Sequence, residues 1–250
     1  MKLKDKITIV TGASSGMGKE IARLYLAEGA VVYGIDLNKE RLDVATKEFS
    51  NADFQPLVAD ISQVEVVENI LEQIIKSAGR IDVLVNNAGI MDDMLPVGEV
   101  SDQLWNKVLA VNLNGPMYLT RKAVKQMLEQ GGCNIINIAS IGGLYGSRAG
   151  AAYTVSKHGL IGLTKNTAFM YALKGIRCNA ICPGAVATNI GETMRSPSQF
   201  GLERAMSGMA TNPKTGEAVD IASIALFLAS EDSKMINGAT LVADFGWTAY

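Results

Sequence analysis

Ile7-Thr-Ile-Val10 runs without a break into Thr11-Gly12-Ala13-Ser14-Ser15-Gly16-Met17-Gly18, after which a helical pattern opens. A short β-branched run, a glycine-rich turn and a helix start form a strand–loop–helix unit. Glycines let its backbone turn tightly, and the free N–H groups at the helix N-terminus suit a pyrophosphate. The spacing is Gly-x3-Gly-x-Gly, a variant of the commoner dinucleotide fingerprint. Eighteen residues beyond Gly18, a second apolar run ends in Ile35-Asp36. A carboxylate there can accept hydrogen bonds from both adenosine ribose hydroxyls and would repel a 2′-phosphate, and neither Ser15 nor Leu37 offers a cation. NAD is therefore expected over NADP, with Asn38 rather than Asp36 capping the following helix.

Outward from this unit the pattern repeats. Apolar runs at 6–11, 31–35, 54–59, 81–86, 134–139, 176–181 and 240–243 alternate with amphipathic stretches at 18–28, 39–49, 63–78 and 101–130. Near-continuous apolar strands separated by helices predict an α/β fold, a doubly wound and mostly parallel seven-stranded Rossmann sheet within one domain spanning 1–250. Residues 217–229 form a helix apolar almost all round, to be buried in a core or against another subunit. Residues 188–212 carry Met194, Phe200, Leu202, Met206 and Met209 with weak periodicity, as expected of an irregular substrate lid.

Composition narrows the function. Of 250 residues, 23 are Lys or Arg and 25 Asp or Glu, giving a net charge of −2 and no basic excess for nucleic acid. The longest strongly apolar stretch, 221–229, is far short of a bilayer span, and the first residues do not resemble a signal peptide. A cytoplasmic protein without a membrane or nucleic-acid partner is expected. With three cysteines and His158 the only histidine, a histidine-based metal centre is not expected. The cysteines read as small buried hydrophobes and His158 as an ordinary helix residue.

Tyr153 and Lys157 are four apart, so a helix puts them on one face. An ammonium at roughly 4–5 Å stabilises a phenolate by about 3–4 kcal/mol at an effective dielectric near 20, which predicts a tyrosine moved towards neutrality. Ser140 follows the fifth strand at its carboxyl end, where α/β sheets bind ligands, and its hydroxyl can hold a carbonyl or alcohol oxygen. Asn86-Asn87-Ala88-Gly89 ends the fourth strand at the same edge. Asn112 lies inside a helical pattern that disfavours Asn, as a kink or as the holder of a water feeding protons to the lysine.

Taken together, Thr11-Gly-x3-Gly-x-Gly18, Asp60, Asn86-Asn-Ala-Gly89, Asn112, Ser140, Tyr153-x3-Lys157 and Pro183-Gly184 resemble the short-chain dehydrogenase/reductase family in order and spacing. The resemblance runs from about residue 6 to 242. It implies Tyr153 as acid/base, Lys157 as phenol tuner and nicotinamide-ribose ligand, Ser140 as holder of the substrate oxygen, and Asn112 as relay anchor. It implies an NAD site drawn from Gly12, Ser14, Ser15, Gly16, Met17, Gly18, Asp36 and Leu37, with Asp60 and Ile61 near the adenine. Asn87, Ala88 and Gly89 belong near the adenosine ribose and phosphates, and Pro183, Gly184, Val186 and Thr188 near the nicotinamide end. A homotetramer or homodimer is implied too. One departure is visible: Asp244-Phe245-Gly246 stands where such sequences often carry Asp-Gly-Gly.

The favoured activity is NAD-dependent interconversion of a small secondary alcohol and a ketone. Two others stand beside it: reduction of 3-oxoacyl chains on a carrier protein, with Arg121, Lys122 and Lys125 as docking face, and non-catalytic dinucleotide sensing. Met91, Met94, Leu95, Leu144 and Tyr145 suggest a partly apolar substrate. For association, 221–229 and the small residues Ala151, Ala152, Gly159, Gly162 and Ala168 suggest close-packing surfaces.

Overall fold

The computed structural model describes residues 1–50 and 52–249. Seven strands form one sheet in the order β3-β2-β1-β4-β5-β6-β7, and every described pairing is parallel. They are β1 (Ile7–Thr11), β2 (Val31–Asp36), β3 (Phe54–Val58), β4 (Val83–Asn86), β5 (Cys133–Ile138), β6 (Ile176–Pro183) and β7 (Thr240–Ala243). β4 starts two residues later than the apolar run suggests, because Asp82 accepts the Ile7 N–H through its side chain at 2.9 Å. β6 runs two residues further, its register carrying Pro183 opposite Ala243.

Eight helices flank the sheet among the described residues: α1 (Gly16–Ala27), α2 (Lys39–Glu48), α3 (Val64–Ala78), α4 (Asp102–Leu109), α5 (Gly115–Glu129), α6 (Ala151–Tyr171), α7 (Gln199–Met209) and α8 (Ala218–Ala229). Alternate strand residues serve opposite cores. Val83 and Val85 pack with Tyr25 of α1 and Ile221 of α8, whereas Leu84 packs with Leu71 of α3 and Leu119 of α5. Each fully buried aliphatic side chain contributes about 1.5–3 kcal/mol relative to exposure. The apolar helix α8 is accounted for within the chain, its carbonyl at Ala225 receiving the buried Tyr25 hydroxyl at 2.9 Å.

Three expectations are corrected. The stretch 101–130 is not one regular helix, because a π turn over Ala110–Asn114 joins α4 to α5. The segment 188–212 is not irregular: it holds a 3₁₀ turn (Ile190–Thr193) and α7, capped by the Ser198 hydroxyl accepting from Gly201 N–H at 3.1 Å. No α7 residue is buried, so it shows no clear apolar stripe in sequence. Of the small residues of α6, three pack internally, whereas Gly162 is exposed with open space beside it. Ala152 and Ala168 are buried, and a Cβ at Gly159 would lie 2.9 Å from Leu113 of the π turn. Among the exposed apolar side chains, Phe169, Met170 and Leu173 lie close together in sequence at the far end of α6 and just beyond.

The strand order reverses between β1 and β4, and the crevice beyond their carboxyl ends is the expected ligand position. The loops lining it follow β1 and β4. Among the described residues, no helix is long and apolar enough to cross a membrane.

Candidate active site

The strand order reverses here, and hydrogen bonds stitch the loops after β1 and β4 together. The Asn87 amide donates to the Thr11 carbonyl at 2.9 Å, and the Thr11 hydroxyl accepts from the Asn87 and Ala88 N–H groups at 2.9 and 3.0 Å. Gly12 has φ +66, and a Cβ there would lie 2.8 Å from Asn87 Nδ2; one at Gly18 would collide with the Gly12 carbonyl. Gly16, at φ +51, faces Thr188, whose Cβ would stand 3.3 Å away. The segment after β6 therefore closes over the glycine loop, and Val186 anchors it through a bridge to Gly216. Gly184 N–H bonds the Ala243 carbonyl at 2.9 Å, keeping the exit from β6 in register.

Asn86 belongs to the fold. Its amide donates to Asn137 at 2.8 Å and weakly to Thr120, all buried. Asp36 Oδ2 accepts from Ser14 N–H at 3.1 Å and Oδ1 from Asn38 N–H at 2.9 Å. Asn38 caps α2 as expected, accepting from Arg41 N–H at 2.9 Å. Leu37 beside it is exposed, Ile61 is buried, and Asp60 turns back on Ser62, accepting from its N–H at 2.9 Å.

A dinucleotide fits this cradle on several counts. The N-cap Ser15 makes no side-chain bond to α1, and no acidic residue stands in that first turn, leaving the helix start open to an anion. The Ser14 hydroxyl and the Asn87 carbonyl oxygen are buried without a partner. The cations nearest Asp36 in sequence are engaged, Lys39 with Asp43 at 2.6 Å and Arg41 with Glu192 at 3.0 Å.

Ser140, Tyr153 and Lys157 come together as the spacing suggests. Ser140 caps a 3₁₀ turn (Ile141–Gly143), its hydroxyl accepting from Gly142 N–H at 3.0 Å. A Cβ at Gly142 would lie 3.4 Å from Ser140 Oγ and 3.5 Å from Tyr153 Cε1, so both flank one small space. Lys157 is buried, donates to the Ile138 carbonyl at 2.8 Å, and lies 5.6 Å from the Tyr153 ring centre. Gly89 separates Lys157 from Asn112: a Cβ there would stand 3.6 Å from Lys157 Nζ and 3.4 Å from Asn112 Oδ1.

Burial reverses one electrostatic expectation. Loss of hydration pushes Tyr153 up to about 12, with the Ser140 hydroxyl drawing it partly back, and lowers Lys157 to about 8. Desolvation disfavours both charged forms and is the largest cause of each shift. Asn112 lies at an irregularity of its helix, the first of its two expected readings. It sits fully buried in the π turn, exchanging bonds with the Ile90 backbone at 2.9 Å each way and donating to Ser156 Oγ at 3.2 Å. Both its N–H atoms are used within the protein, so the side chain ties the loop after β4 to α6. Ser156 passes the link on to the Tyr153 carbonyl at 2.7 Å.

A cavity of about 430 Å³ lies between α7 and the start of α6, lined by Met94, Pro96, Thr154, Phe200, Arg204 and neighbouring small residues. It borders the turn that carries Tyr153 but includes neither Tyr153 nor Ser140. Of the five residues expected to shape a pocket, Met94 lines it. Leu144 packs with Leu160, and Tyr145 reaches the Thr248 carbonyl at 3.3 Å. The far end of α7 is held at the Gly208 carbonyl by Arg148 at 3.0 Å and Trp247 Nε1 at 3.1 Å, with the guanidinium 4.1 Å over the indole. Sequence reasoning missed Arg148, Trp247 and Asp92; two adjacent acids just past Asn-Asn-Ala-Gly were the available signal for the last. Phe245 holds φ +55 where glycine is common, and Lys214 covers its ring at 5.1 Å. His158 is exposed and bonds only its own helix at Thr154.

Comparison with known proteins agrees with this geometry. A family model described as enoyl-(acyl carrier protein) reductase matches residues 12–248. The chain is 46% identical over 251 residues to 3beta-hydroxysteroid dehydrogenase 2 of Eggerthella lenta, covering 99% of this chain and 96% of that protein. It is 36% identical over 248 residues to a 3-oxoacyl-[acyl-carrier-protein] reductase of Thermotoga maritima, covering 98% and 99%. Among solved structures, levodione reductase superposes with a TM-score of 0.90 at 33% identity, covering 99% of this chain and 100% of that one.

Proposed function

The chain belongs to the short-chain dehydrogenase/reductase family of oxidoreductases, and on that footing we propose that it interconverts a secondary alcohol and a ketone using NAD. The observation that carries this reading is the grouping of Ser140 with the buried Tyr153 and Lys157 at the mouth of a dinucleotide-shaped cradle. Bound there, the nicotinamide would supply the hydride acceptor or donor. Gly12, Ser14, Ser15, Gly16, Met17 and Gly18 would hold the pyrophosphate, Asp36 the adenosine ribose, and Leu37, Asp60 and Ile61 the adenine side. Asn87, Ala88 and Gly89, with Pro183, Gly184, Val186 and Thr188, would line the remaining length.

On the protein side, the Ser140 hydroxyl holds the substrate oxygen and Tyr153 exchanges the proton at that oxygen. Lys157, anchored on Ile138, orients the nicotinamide ribose and, as the ammonium that prevails below about pH 8, favours the phenolate. Asn112 keeps α6 and the loop after β4 in register. The Asp36 carboxylate, with its sequence-near cations already paired, supports NAD over NADP.

The substrate class is a hydroxysteroid or similarly sized apolar alcohol. Its support is the similarity to the Eggerthella lenta hydroxysteroid dehydrogenase and the largely apolar cavity under α7. Residues 188–212 act as its lid. Measuring NAD and NADP reduction against 3β-hydroxysteroids, sugar alcohols and simple secondary alcohols tests all three choices; preference for a sugar alcohol or for NADP would refute the corresponding part.

Carrier-linked 3-oxoacyl reduction has the Thermotoga maritima relative in its favour. Against it, two of the three cations of the suggested docking face are paired with α3, Lys122 to Glu72 at 2.6 Å and Arg121 to Glu68 at 3.7 Å. The assembly we propose is a homodimer or homotetramer that covers Phe169, Met170 and Leu173.

A further inference from the structure

The segment 90–95 bonds in consecutive residues to Asn112, to the first turn of α6 and to the lid. Ile90 is bonded both ways to Asn112, and Met91 N–H donates to Thr193 Oγ1 at 2.9 Å. Asp92, fully buried, gathers three amides: Tyr153 N–H at 2.8 Å, Gly150 N–H at 3.1 Å and Met94 N–H at 3.3 Å. Asp93 turns the other way and takes Arg195 N–H at 2.7 Å and Ser196 N–H at 3.3 Å, while its carbonyl takes Ser198 N–H at 2.9 Å.

The backbone is strained to achieve this. Asp93 and Met94 stand at φ +59 and +56, a conformation costing roughly 1–2 kcal/mol per non-glycine residue. Such strain persists where surrounding contacts over-determine it. Here Gly201 of the lid is pressed against the Met94 carbonyl so closely that no Cβ would fit. A Cβ at Gly150 would likewise stand 2.6–2.7 Å from the Asp92 carboxylate.

Asp92 has no cationic partner among the described residues; amides and the positive end of α6 are what hold its charge. A buried carboxylate is an expensive way to pack a loop. A hydroxyl caps one amide, whereas a carboxylate has acceptor sites for three at once. We infer that Asp92 is a positioning residue for Tyr153, fixing the first turn of α6 on the strap that also grips the lid through Asp93. This inference rests on the reading of Tyr153 as the acid/base.

The test uses the full-length protein with NAD and a 3β-hydroxysteroid. Groups facing the phenol are Lys157 on its own helix, Cys182 on β6 and Asp92 on the strap; the Arg148 guanidinium lies over Trp247 instead. Asp92's charge opposes ionisation of Tyr153. In Asp92→Asn, kcat should fall at least ten-fold and its rising limb in alcohol oxidation should move to lower pH, with NAD affinity unchanged. Asp92→Glu keeps the charge but displaces the carboxylate, so kcat should fall with the limb unmoved. Tyr153→Phe is run beside them. If it collapses while Asp92→Asn stays within two-fold of wild type, the positioning role is overturned and the tyrosine reading survives. If Tyr153→Phe keeps its turnover, the tyrosine reading itself fails. Loss of NAD binding in step with kcat in both Asp92 variants would also overturn the inference, since Asp92 would then be holding the fold.

Discussion

The Ser14 N–H donates to the Asp36 carboxylate at 3.1 Å, tying the phosphate loop to the end of β2. The carboxylate that would read the ribose therefore also shapes the loop that would read the pyrophosphate. Asp36→Ala should lower kcat/KM with NAD by at least ten-fold, about 1.4 kcal/mol, while NADP loses less. Steady-state kinetics with both cofactors check this. A wild-type preference for NADP would defeat the assignment.

Tyr153→Phe preserves ring and packing but has no exchangeable proton. Turnover should drop by about 10²–10⁴-fold, the usual contribution of acid–base catalysis, with NAD binding retained by fluorescence. Near-normal turnover in this variant would return dinucleotide sensing to consideration.

Lys157 has its ordinary value lowered to about 8 by burial, and this has a signed consequence for stability. Its neutral form is favoured in the folded protein, so its contribution is present above the unfolded value near 10.5 and is lost as pH falls through 8. Relative to Lys157→Met, the wild type should gain up to about 1.4 kcal/mol per pH unit over that window. Urea unfolding of both proteins at several pH values between 7.5 and 10.5 measures the difference. A pH-independent difference would contradict the buried, desolvated lysine.

Trp247→Phe removes the Nε1–H that bonds Gly208 and Thr211 and shrinks the ring under the Arg148 guanidinium, leaving the Arg148 bond to Gly208 to hold the lid. With a neutral hydrogen bond worth about 1 kcal/mol, KM for a bulky alcohol should rise several-fold at unchanged KM for NAD. Equal KM values in wild type and variant would show that α7 is not part of substrate binding.

Light scattering at micromolar concentration should report a dimer or tetramer. A Phe169→Glu/Leu173→Glu variant should shift it towards the monomer, because a charge on a face buried between copies is costly. An unchanged mass in that variant would move the interface elsewhere.

Much of this molecule was legible locally. The near-continuous apolar runs could only be strands covered on both sides, and their alternation with helices implied the parallel sheet. The glycine loop, the Tyr153/Lys157 spacing and the Asn38 cap are short-range features set by backbone sterics and helical period. Other features depended on residues far apart in the chain. Asp92 meets Tyr153 across 61 positions. Gly159 is small because Leu113 presses on it, and Asn112 sits comfortably in a helix because a π turn brings Ile90 and Ser156 to its amide. The lid helix showed no stripe in sequence because none of its residues is buried. The direction of the Tyr153 shift was likewise beyond the sequence. Spacing says which charge is near, but only tertiary packing decides how much water is removed, and here the loss of hydration is the largest cause of the upward shift.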